Sequence, residues 1–263
     1  MLLTFDIGNS NIVIGIFEND RLIHKWRLGS STKKSADDYA IDIIELCLTE
    51  KIDCLKINGA IIGSVVPTLT GIIHEAVKKF TSEAVTGKIL VVGQENVRLN
   101  IDIQLKNKNE VGHDRLINSI AAFDKFGGNL IVIDFGTATT FDVVGEKGEY
   151  LGGVIAPGIN LSLKALHDAT AQLPKISVKA QKNVIGKTTI EAMNSGVYFG
   201  YISLIEGMIE KIEHELNQKT TRIITGGLAE LFKDALANTV EHYEPDLTLE
   251  GLKIVYEQNQ KSS

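Results

Sequence analysis

The sequence predicts an α/β protein made of two similar halves, each opening with the same kind of turn. The first half opens with LLTFDIGNSN at residues 2–11, where a buried apolar strand ends at Asp6 and Gly8 begins a turn of short polar residues. The second half repeats this pattern as LIVIDFGTATT at residues 130–140, with Asp134 placed 128 positions after Asp6 (134 − 6). Asp and Gly are frequent in ordinary β-turns, so a single copy would be weak evidence, whereas two matched copies indicate a duplication.

In the first half, short apolar runs separated by tight polar turns predict a meander of three strands. Apolar residues at helical spacing then predict an amphipathic helix, and a buried strand ending at Pro67 leads into a second helix that Thr68 or Thr70 could cap. The predicted elements are strands at residues 2–6, 11–17, 21–27, 59–66 and 88–92, a polar loop at 30–35, and helices at 37–49 and 69–80.

The second half shows the same order of elements. A second meander turns at Gly136, Pro157 precedes a helix, a long glycine-containing helix is predicted in two pieces, and a late strand ends in Gly226. The predicted elements are strands at residues 130–134, 139–144, 150–155 and 222–225, a loop with strand character at 173–183, helices at 158–167, from 188 to beyond 208 and up to about 236, and a short helix or strand at 246–256. Two halves of this order predict duplicated α/β domains with a ligand site in the cleft between them.

Composition narrows the class of protein. The chain has 263 residues, of which 44% are hydrophobic and 23% charged, as in globular proteins. The net charge of −6 argues against a nucleic-acid partner, which would require a basic patch. No apolar run reaches the roughly 20 residues needed to cross a bilayer and no basic leader opens the chain, so we expect a cytoplasmic protein with no membrane partner. Cys47 and Cys54 match no zinc or redox spacing, and we expect two reduced, mostly buried thiols.

Each Asp-x-Gly turn has a chemical rationale as a phosphate site. Glycine lets backbone N–H groups come close to phosphate oxygens, and neighbouring Ser, Thr and Asn side chains add hydrogen bonds. A carboxylate at the strand end can hold a cation against the same phosphates, directly or through water. A different phosphate motif is excluded, because Gly186-Lys187-Thr188 ends like a Walker A loop but Gln181 stands where its first glycine is required. The matched turns therefore predict a phosphate ligand.

A further candidate is Asp114 in the stretch GHDR at residues 112–115, which follows a polar, irregular stretch at 96–110. Apolar residues from Leu116 onward mark a helix, so Asp114 lies in its first turn, where the helix dipole lowers the cost of a carboxylate. Two interpretations remain open on the residues alone: a cap of the helix N-terminus, or a functional acid.

The motifs together resemble the type III pantothenate kinases, which belong to the acetate-kinase/sugar-kinase/Hsp70/actin superfamily. The resemblance covers nearly the whole chain. It rests on DIGNSNIVIGIF at 6–17, SVVP at 64–67, VGHDR at 111–115, IDFGTATTFDVV at 133–144, LGGVIAPG at 151–158, TTIEAMNSGVYFG at 188–200 and TGGL at 225–228. It implies duplicated ribonuclease-H-like (actin-like ATPase) domains with the active site in the cleft between them, and we place these domains at residues 1–115 and 116–263.

The resemblance also implies an activity. Enzymes of this family transfer the γ-phosphate of ATP to the primary hydroxyl of pantothenate, giving 4′-phosphopantothenate in the first step of coenzyme A biosynthesis. We accordingly expect ATP and pantothenate as substrates, Mg²⁺ with the ATP, a monovalent cation (K⁺ or NH₄⁺), and a homodimer. The apolar run that includes Val197, Phe199, Tyr201, Leu204 and Ile205 is either a dimer contact or part of a buried core helix.

The resemblance assigns a role to each matching residue. Asp114 would accept the proton of the pantothenate hydroxyl, Asp134 would hold the monovalent cation, and Asp6 would lie near the Mg²⁺ and hold it through water. The expected ATP-binding residues are Asp6, Ile7, Gly8, Asn9, Ser10, Asn11, Ile12, Val13 and Thr137, and the expected pantothenate-binding residues are Gly112, His113, Asp114, Arg115 and Thr189.

The chain departs from the family pattern on the substrate side. Members usually carry Tyr-x-Asn-Pro shortly before Gly-x-Asp-Arg, but here Leu105 stands at the Tyr position and Lys108 at the Pro position, whereas Asn107 keeps its place. His113 occupies a position that is usually small. Two other interpretations therefore stay open: a kinase of the same fold acting on another small hydroxyl compound, and a non-catalytic nucleotide-binding regulator.

Overall fold

The computed structural model describes residues 1–81, 85, 89–170 and 172–260. By backbone contacts the chain forms two compact units, the first comprising residues 1–101, 109–121 and 248 onward, and the second residues 102–108 and 122–247. The boundary that we predicted between residues 115 and 116 stays a prediction. The units differ from the predicted domains chiefly because the chain returns to the first unit at its C-terminal end.

The first unit contains a five-stranded mixed sheet in the order β3-β2-β1-β4-β5. The antiparallel meander β1–β3 matches the predicted one, and β4 and β5 run parallel to β1. Residue 88 of the strand predicted at 88–92 lies outside the described residues. The elements are β1 (Leu2–Ile7), β2 (Asn11–Glu18), β3 (Arg21–Gly29), α1 (Ala36–Thr49), a 3₁₀ turn (Cys54–Lys56), β4 (Gly59–Ser64), α2 (Pro67–Phe80) and β5 (Ile89–Val91).

The two faces of this sheet are covered by different helices. Strand alternation puts Phe5 and Ile14 on the face that α1 and α2 cover, with buried Tyr39 and Ile73 in the same cluster. The opposite face carries Leu2, Thr4 and Asp6 in turn along β1. There the apolar residues pack with α3 (His113–Phe126) and α7 (Leu247–Gln260), in a cluster that includes Ile117, Ile120, Leu249, Leu252 and Val255. Asp6 therefore lies at the end of the α3/α7 face.

The second unit repeats the sheet with the order β10-β9-β6-β7-β8. The strands β6–β8 again form an antiparallel meander, and β9 lies parallel to β6. A core cluster joins this sheet to the long helix α5 through residues such as Ile133, Phe141 and Ile205. The elements are β6 (Leu130–Phe135), β7 (Ala138–Val144), β8 (Tyr150–Pro157), α4 (Ile159–Asp168), α5 (Thr189–Leu216), β9 (Thr221–Thr225), α6 (Ala229–Phe232) and β10 (His242–Tyr243).

Several predicted elements need correction. The helix α5 is a single helix of 28 residues and not two pieces. Its N-terminus is fixed by a capping box between Thr188 and Glu191, and the buried residues along it pack on one core, so its glycines do not break it. The helix after β9 is only four residues long, the C-terminal segment is a helix, and the described residues between 173 and 183 form no strand.

The apolar run around residue 200 is part of the core. Val197, Tyr201 and Ile205 are buried in the second unit's cluster, and Phe199 and Leu204 are partly buried against it. This run is therefore part of a buried core helix, and the dimer contact stays a prediction. The two cysteines form no disulfide, with Cys47 buried and Cys54 half-buried. None of the helices within the described residues is long and apolar enough to span a membrane.

Candidate functional site

The turn between β1 and β2 forms the first predicted phosphate site. The N–H of Gly8 donates to the carbonyl of Asn11 at 2.9 Å, so this amide closes the turn and is not available to a ligand. Asn9 and Ser10 are exposed at its tip. The exposed residues of this turn that a phosphate could reach are therefore Asn9 and Ser10, whereas Ile7, Ile12 and Val13 support the turn from the flanking strands.

The turn between β6 and β7 closes in the same way. The N–H of Gly136 donates to the carbonyl of Ala138 at 3.0 Å, and Thr137 is exposed beside it. This turn is shorter by one residue, because two residues separate β6 from β7 whereas three separate β1 from β2. In both turns a glycine N–H donates to the first residue of the next strand, which agrees with the duplication that the sequence predicts.

The segment after β3 holds the first turn in place, which the sequence analysis missed. Ser30 donates from its hydroxyl to the carbonyl of Gly8 at 2.6 Å and from its amide to the carbonyl of Ser10 at 3.1 Å. The hydroxyl of buried Tyr39 in turn accepts from the amide of Ser31 at 2.9 Å. The sequence indicated only a polar loop here, because the partners of these side chains lie on a different hairpin. The tyrosine at position 39, in the first turn of α1, was the one signal in the sequence that this segment is held by a side chain.

Asp6 is a half-buried acid in an unfavourable electrostatic environment. Burial, together with the nearby carboxylate of Asp114, raises its pKa from 3.8 to about 6, and the guanidinium of Arg27 acts in the opposite direction. Asp6 and Asp114 are thus close enough to repel each other. Arg27 was not among the predicted site residues, although its position on the third strand of the meander was available from the sequence.

Asp114 lies in the first turn of α3, as predicted. Its carboxylate folds back over Gly112, and a Cβ at position 112 would collide with Asp114 Oδ1. The carbonyl of Gly112 accepts from the amide of Arg115 at 3.1 Å, which starts the helix. The imidazole of His113 packs against Gly93, whose φ of +94° favours glycine. The GHDR stretch therefore places Asp114 and Asp6 on the same side of the first unit.

Asp134 occupies the matching place at the end of β6. Its carboxylate lies beside Gly226, which has a φ of +94° and follows the parallel strand β9. A Cβ at position 226 would collide with Asp134 Oδ1, and it would stand 2.6 Å from the amide nitrogen of Phe135. Position 226 therefore requires glycine for two reasons, its backbone conformation and the carboxylate beside it. The sequence shows this glycine at the end of a predicted strand, but no local pattern predicts its contact with Asp134.

The remaining predicted pantothenate-binding residue, Thr189, lies in the second unit. Thr189 is exposed at the first position of α5, directly after the Thr188 cap. An open depression of about 790 Å³ is lined by residues 180–187 and Glu191. None of Asp6, Asp114 or Asp134 lines this depression, so it does not locate the phosphate chemistry. Thr189 is therefore placed by the helix cap, next to an open surface.

Leu105, which stands where the family usually has tyrosine, packs in the second unit. Leu105 lies 3.5 Å from the position that a Cβ of Gly152 would take. The preceding residues run along the start of β8, where the amide of Gln104 donates to the carbonyl of Tyr150 at 2.9 Å. Leu105 is thus an apolar packing residue where a tyrosine would offer a hydroxyl.

The carboxylates of Asp6 and Asp134 are oxygen ligands that suit hard cations, but each stands without a cluster of further protein ligands among the described residues. Within the described residues, no three or more His, Cys, Asp or Glu side chains are grouped closely enough to hold a metal ion by themselves. Asp6 and Asp134 each provide a single carboxylate, and the space that glycine leaves at position 226 lies against the second of them. Single carboxylates fit ions that take most of their ligands from water and phosphate oxygens, as Mg²⁺ does.

Comparison with known sequences gives one family. The sequence profile described as type III pantothenate kinase matches residues 2–211. The type III pantothenate kinase of Rhodospirillum rubrum is 44% identical over 260 residues, covering 99% of this chain and 99% of that protein. The type III pantothenate kinase of Moorella thermoacetica is 42% identical over 259 residues, covering 98% of this chain and 100% of that protein.

Comparison with solved structures supports the fold alone, because the identities are low. A conserved putative Baf family transcriptional activator from Campylobacter jejuni aligns with a TM-score of 0.57 at 20% identity, covering 98% of this chain and 99% of that chain. A putative 2-dehydro-3-deoxygalactonokinase from Sinorhizobium meliloti aligns with a TM-score of 0.54 at 12% identity, covering 100% and 96%. These neighbours confirm the predicted fold of duplicated ribonuclease-H-like domains.

The charge on Asp6 is predicted to destabilise the ligand-free protein above pH 6. Its pKa is raised in the folded state, so the folded protein is favoured at low pH and loses that advantage as the pH rises through about 6. We expect Asp6→Asn to raise the free energy of unfolding by about 1–2 kcal/mol at pH 8 and to have no such effect near pH 4. Urea unfolding of both proteins at the two pH values measures this difference. Equal effects of the substitution at both pH values would contradict it.

Proposed function

The chain belongs to the type III pantothenate kinase family, and from this premise we propose which of its residues perform each part of the reaction. It is a kinase that uses ATP, with Mg²⁺, to phosphorylate pantothenate in coenzyme A biosynthesis. The full-length match at 44% identity is the observation that supports this activity most strongly. The closeness of Asp6 and Asp114 supports the residue assignments that follow.

Asp114 is proposed as the group that accepts the proton of the pantothenate hydroxyl. Phosphoryl transfer depends mainly on placing the attacking oxygen in line and on stabilising charge on the transferred group. A carboxylate at the first turn of α3 can orient the hydroxyl and take its proton as the oxygen attacks phosphorus. Gly112 serves this role indirectly, since a side chain there would displace the carboxylate.

The residues of the first turn, 6–13, are proposed to bind the triphosphate of ATP, with Thr137 of the second turn as a further ATP contact. Asn9 and Ser10 are exposed, and their backbone amides would supply donors for phosphate oxygens. Asp6 would hold Mg²⁺ through water, and Asp134 would hold the monovalent cation, K⁺ or NH₄⁺. Such cations neutralise charge on the phosphate oxygens when they are bound. Deprotonated Asp6 is the form that attracts a cation.

Pantothenate is proposed to bind at residues 112–115 and at Thr189. Arg115 would pair with the carboxylate of the substrate, and His113 would contact it from its place against Gly93. Leu105 provides no hydroxyl at the position where the family usually has tyrosine. This observation is the one that favours the second candidate function, a kinase of the same fold that acts on another small hydroxyl compound.

A non-catalytic regulator is the less supported alternative. The Campylobacter jejuni neighbour is described as a putative transcriptional activator, but at 20% identity it supports the fold alone. Asp6, Asp114 and Asp134, the three carboxylates that the proposed chemistry uses, are all present in this chain.

The functional unit is proposed to be a cytoplasmic homodimer. Exposed apolar side chains of the second unit support a contact surface, because the neighbouring residues Val184 and Ile185 are both more than 60% exposed. Sedimentation at micromolar concentration should give twice the mass of one chain, and Ile185→Asp should shift it toward a single chain. A wild-type protein that sediments as a monomer would count against the dimer.

The purified protein is expected to release ADP only when pantothenate, ATP, a divalent metal and K⁺ are all present. The product should be 4′-phosphopantothenate, identified by mass. A panel of other small hydroxyl compounds serves as the comparison, and a much faster acceptor in that panel would support the second candidate function. No phosphorylation of any acceptor would contradict the enzymatic function altogether.

Asp114→Asn is expected to lower turnover by about 100-fold or more, because the amide cannot accept the proton. The affinity for ATP should remain nearly unchanged, since the triphosphate is assigned to the neighbouring turn. Steady-state kinetics and direct ATP binding measure the two quantities. Near-normal turnover in this variant would remove Asp114 as the base.

Asp134→Ala is expected to abolish activation by K⁺. Gly226→Ala should weaken that activation as well, because its Cβ would displace the Asp134 carboxylate. Gly128→Ala is the matched control, since Gly128 also has a positive φ (+71°) but has open space around its Cα. Turnover as a function of K⁺ concentration measures the effect. If Asp134→Ala kept its K⁺ dependence, the cation would have to bind elsewhere.

A further inference from the structure

We propose that Arg27 of β3 binds the terminal phosphates of ATP and so supplies the positive side chain that the first turn lacks. The proposal rests on the proposed function to the extent that the nucleotide is ATP. It adds a side chain from the third strand of the meander to a site otherwise built from residues 6–13.

Strand register places Arg27 in line with Asp6. Asp6 is paired with Val13 across β1 and β2, and Val13 is paired with Arg27 across β2 and β3. Paired residues on neighbouring strands point to the same face, and each step across the sheet is about 4.8 Å. Arg27 therefore starts about 10 Å from Asp6 on the same face, within reach of a long side chain and a ligand between them. Its neighbour Trp26 is buried on the opposite face.

The surroundings of Arg27 agree with this placement. Arg27 itself is exposed, and within the described residues no carboxylate lies within 4.0 Å of it. A planar guanidinium offers several N–H donors in an arrangement that matches phosphate oxygens. The charge of Arg27 thus remains available to an anionic ligand beside the first turn.

The end of β3 is fixed to the turn that would hold the phosphates. Gly29 pairs with Asn11, the first residue of β2. Ser30 then hydrogen-bonds the carbonyls of Gly8 and Ser10. These bonds tie the end of β3 to the turn, so on binding the Arg27 side chain would lose mainly its own rotamer freedom.

The second copy of the meander lacks this cation. Asp134 is paired with Thr140, and Thr140 is paired with Ile155, which is exposed. Position 155 of β8 is therefore the counterpart of position 27 of β3, and it carries an apolar side chain. If the fold merely required an exposed charged side chain at this strand position, both copies would carry one. The cation is found only beside the turn to which the triphosphate is assigned.

The test compares nucleotide binding by Arg27→Ala, Arg27→Gln and Arg27→Lys with that of the wild type, in the absence of pantothenate. Lys25→Ala is the matched control, because Lys25 is an exposed cation on the same face of the same strand, two residues farther from the turn. Calorimetry with Mg-ATP and with AMP gives the dissociation constants. Binding without the acceptor keeps this test independent of which hydroxyl compound is phosphorylated.

We expect Arg27→Ala and Arg27→Gln to raise the dissociation constant for Mg-ATP about 10- to 100-fold, as loss of a charged hydrogen-bonding partner does. Affinity for AMP, which lacks the terminal phosphates, should change less than about twofold, as should Mg-ATP binding by Lys25→Ala. The dissociation constant of Arg27→Lys for Mg-ATP should lie between those of the wild type and Arg27→Ala, because lysine keeps the charge but not the planar donor pair. Equal melting temperatures exclude loss of fold as the cause.

Three results would overturn the proposal. The first is unchanged Mg-ATP affinity in a folded Arg27→Ala protein, and the second is a loss of AMP affinity as large as the loss of Mg-ATP affinity. The third is a raised KM for pantothenate with an unchanged KM for ATP, which would assign Arg27 to the acceptor. A wild-type protein that binds ATP but phosphorylates no pantothenate would disprove the proposed function and leave the Arg27 comparison fully readable.

Discussion

Two carboxylates at one end of the first sheet form the constraint on which this part of the protein depends. Asp6 projects from the end of β1 and Asp114 from the first turn of α3, and their repulsion adds to the burial that raises the pKa of Asp6. The apolar core beneath them offsets this unfavourable electrostatic free energy. There Ile117 and Ile120 of α3 pack in one cluster with Leu2 of β1. Such stored electrostatic strain is typical of functional sites, because a bound cation relieves it.

The duplication has kept the turn and changed its surroundings. In both copies a glycine N–H closes the turn onto the carbonyl of the next strand. The flanking strands differ, since Asp6 is paired with Gly63 across the parallel partner strand and Asp134 with Thr225. The copies also differ in charge on the third strand, with Arg27 in one and Ile155 in the other. The same glycine-closed turn therefore lies in two different electrostatic environments. This difference allows the two copies to have different roles.

The sequence by itself determined the class of fold and the order of the elements along the chain, and its motifs resemble one family. The fold class and the elements follow from local patterns, because the period of apolar residues reports whether a segment can bury one face as a strand or as a helix. The two turns at Asp6 and Asp134 were recognisable for the same reason, as was the place of Asp114 in the first turn of a helix. The hydrogen bonds of Gly8 and Gly136 inside their turns were not, since they depend on the closed hairpin.

Only the tertiary structure decided which distant residues meet. Whether α5 runs unbroken depended on a continuous core along its length, and whether the C-terminal helix joined the first unit depended on a sheet face formed by residues 2–63. The same holds at the site, where the register of three strands aligns Arg27 with Asp6 on one face and a parallel pair brings Gly226 beside Asp134. Pairing between strands joins residues far apart in sequence, so no local pattern can report it.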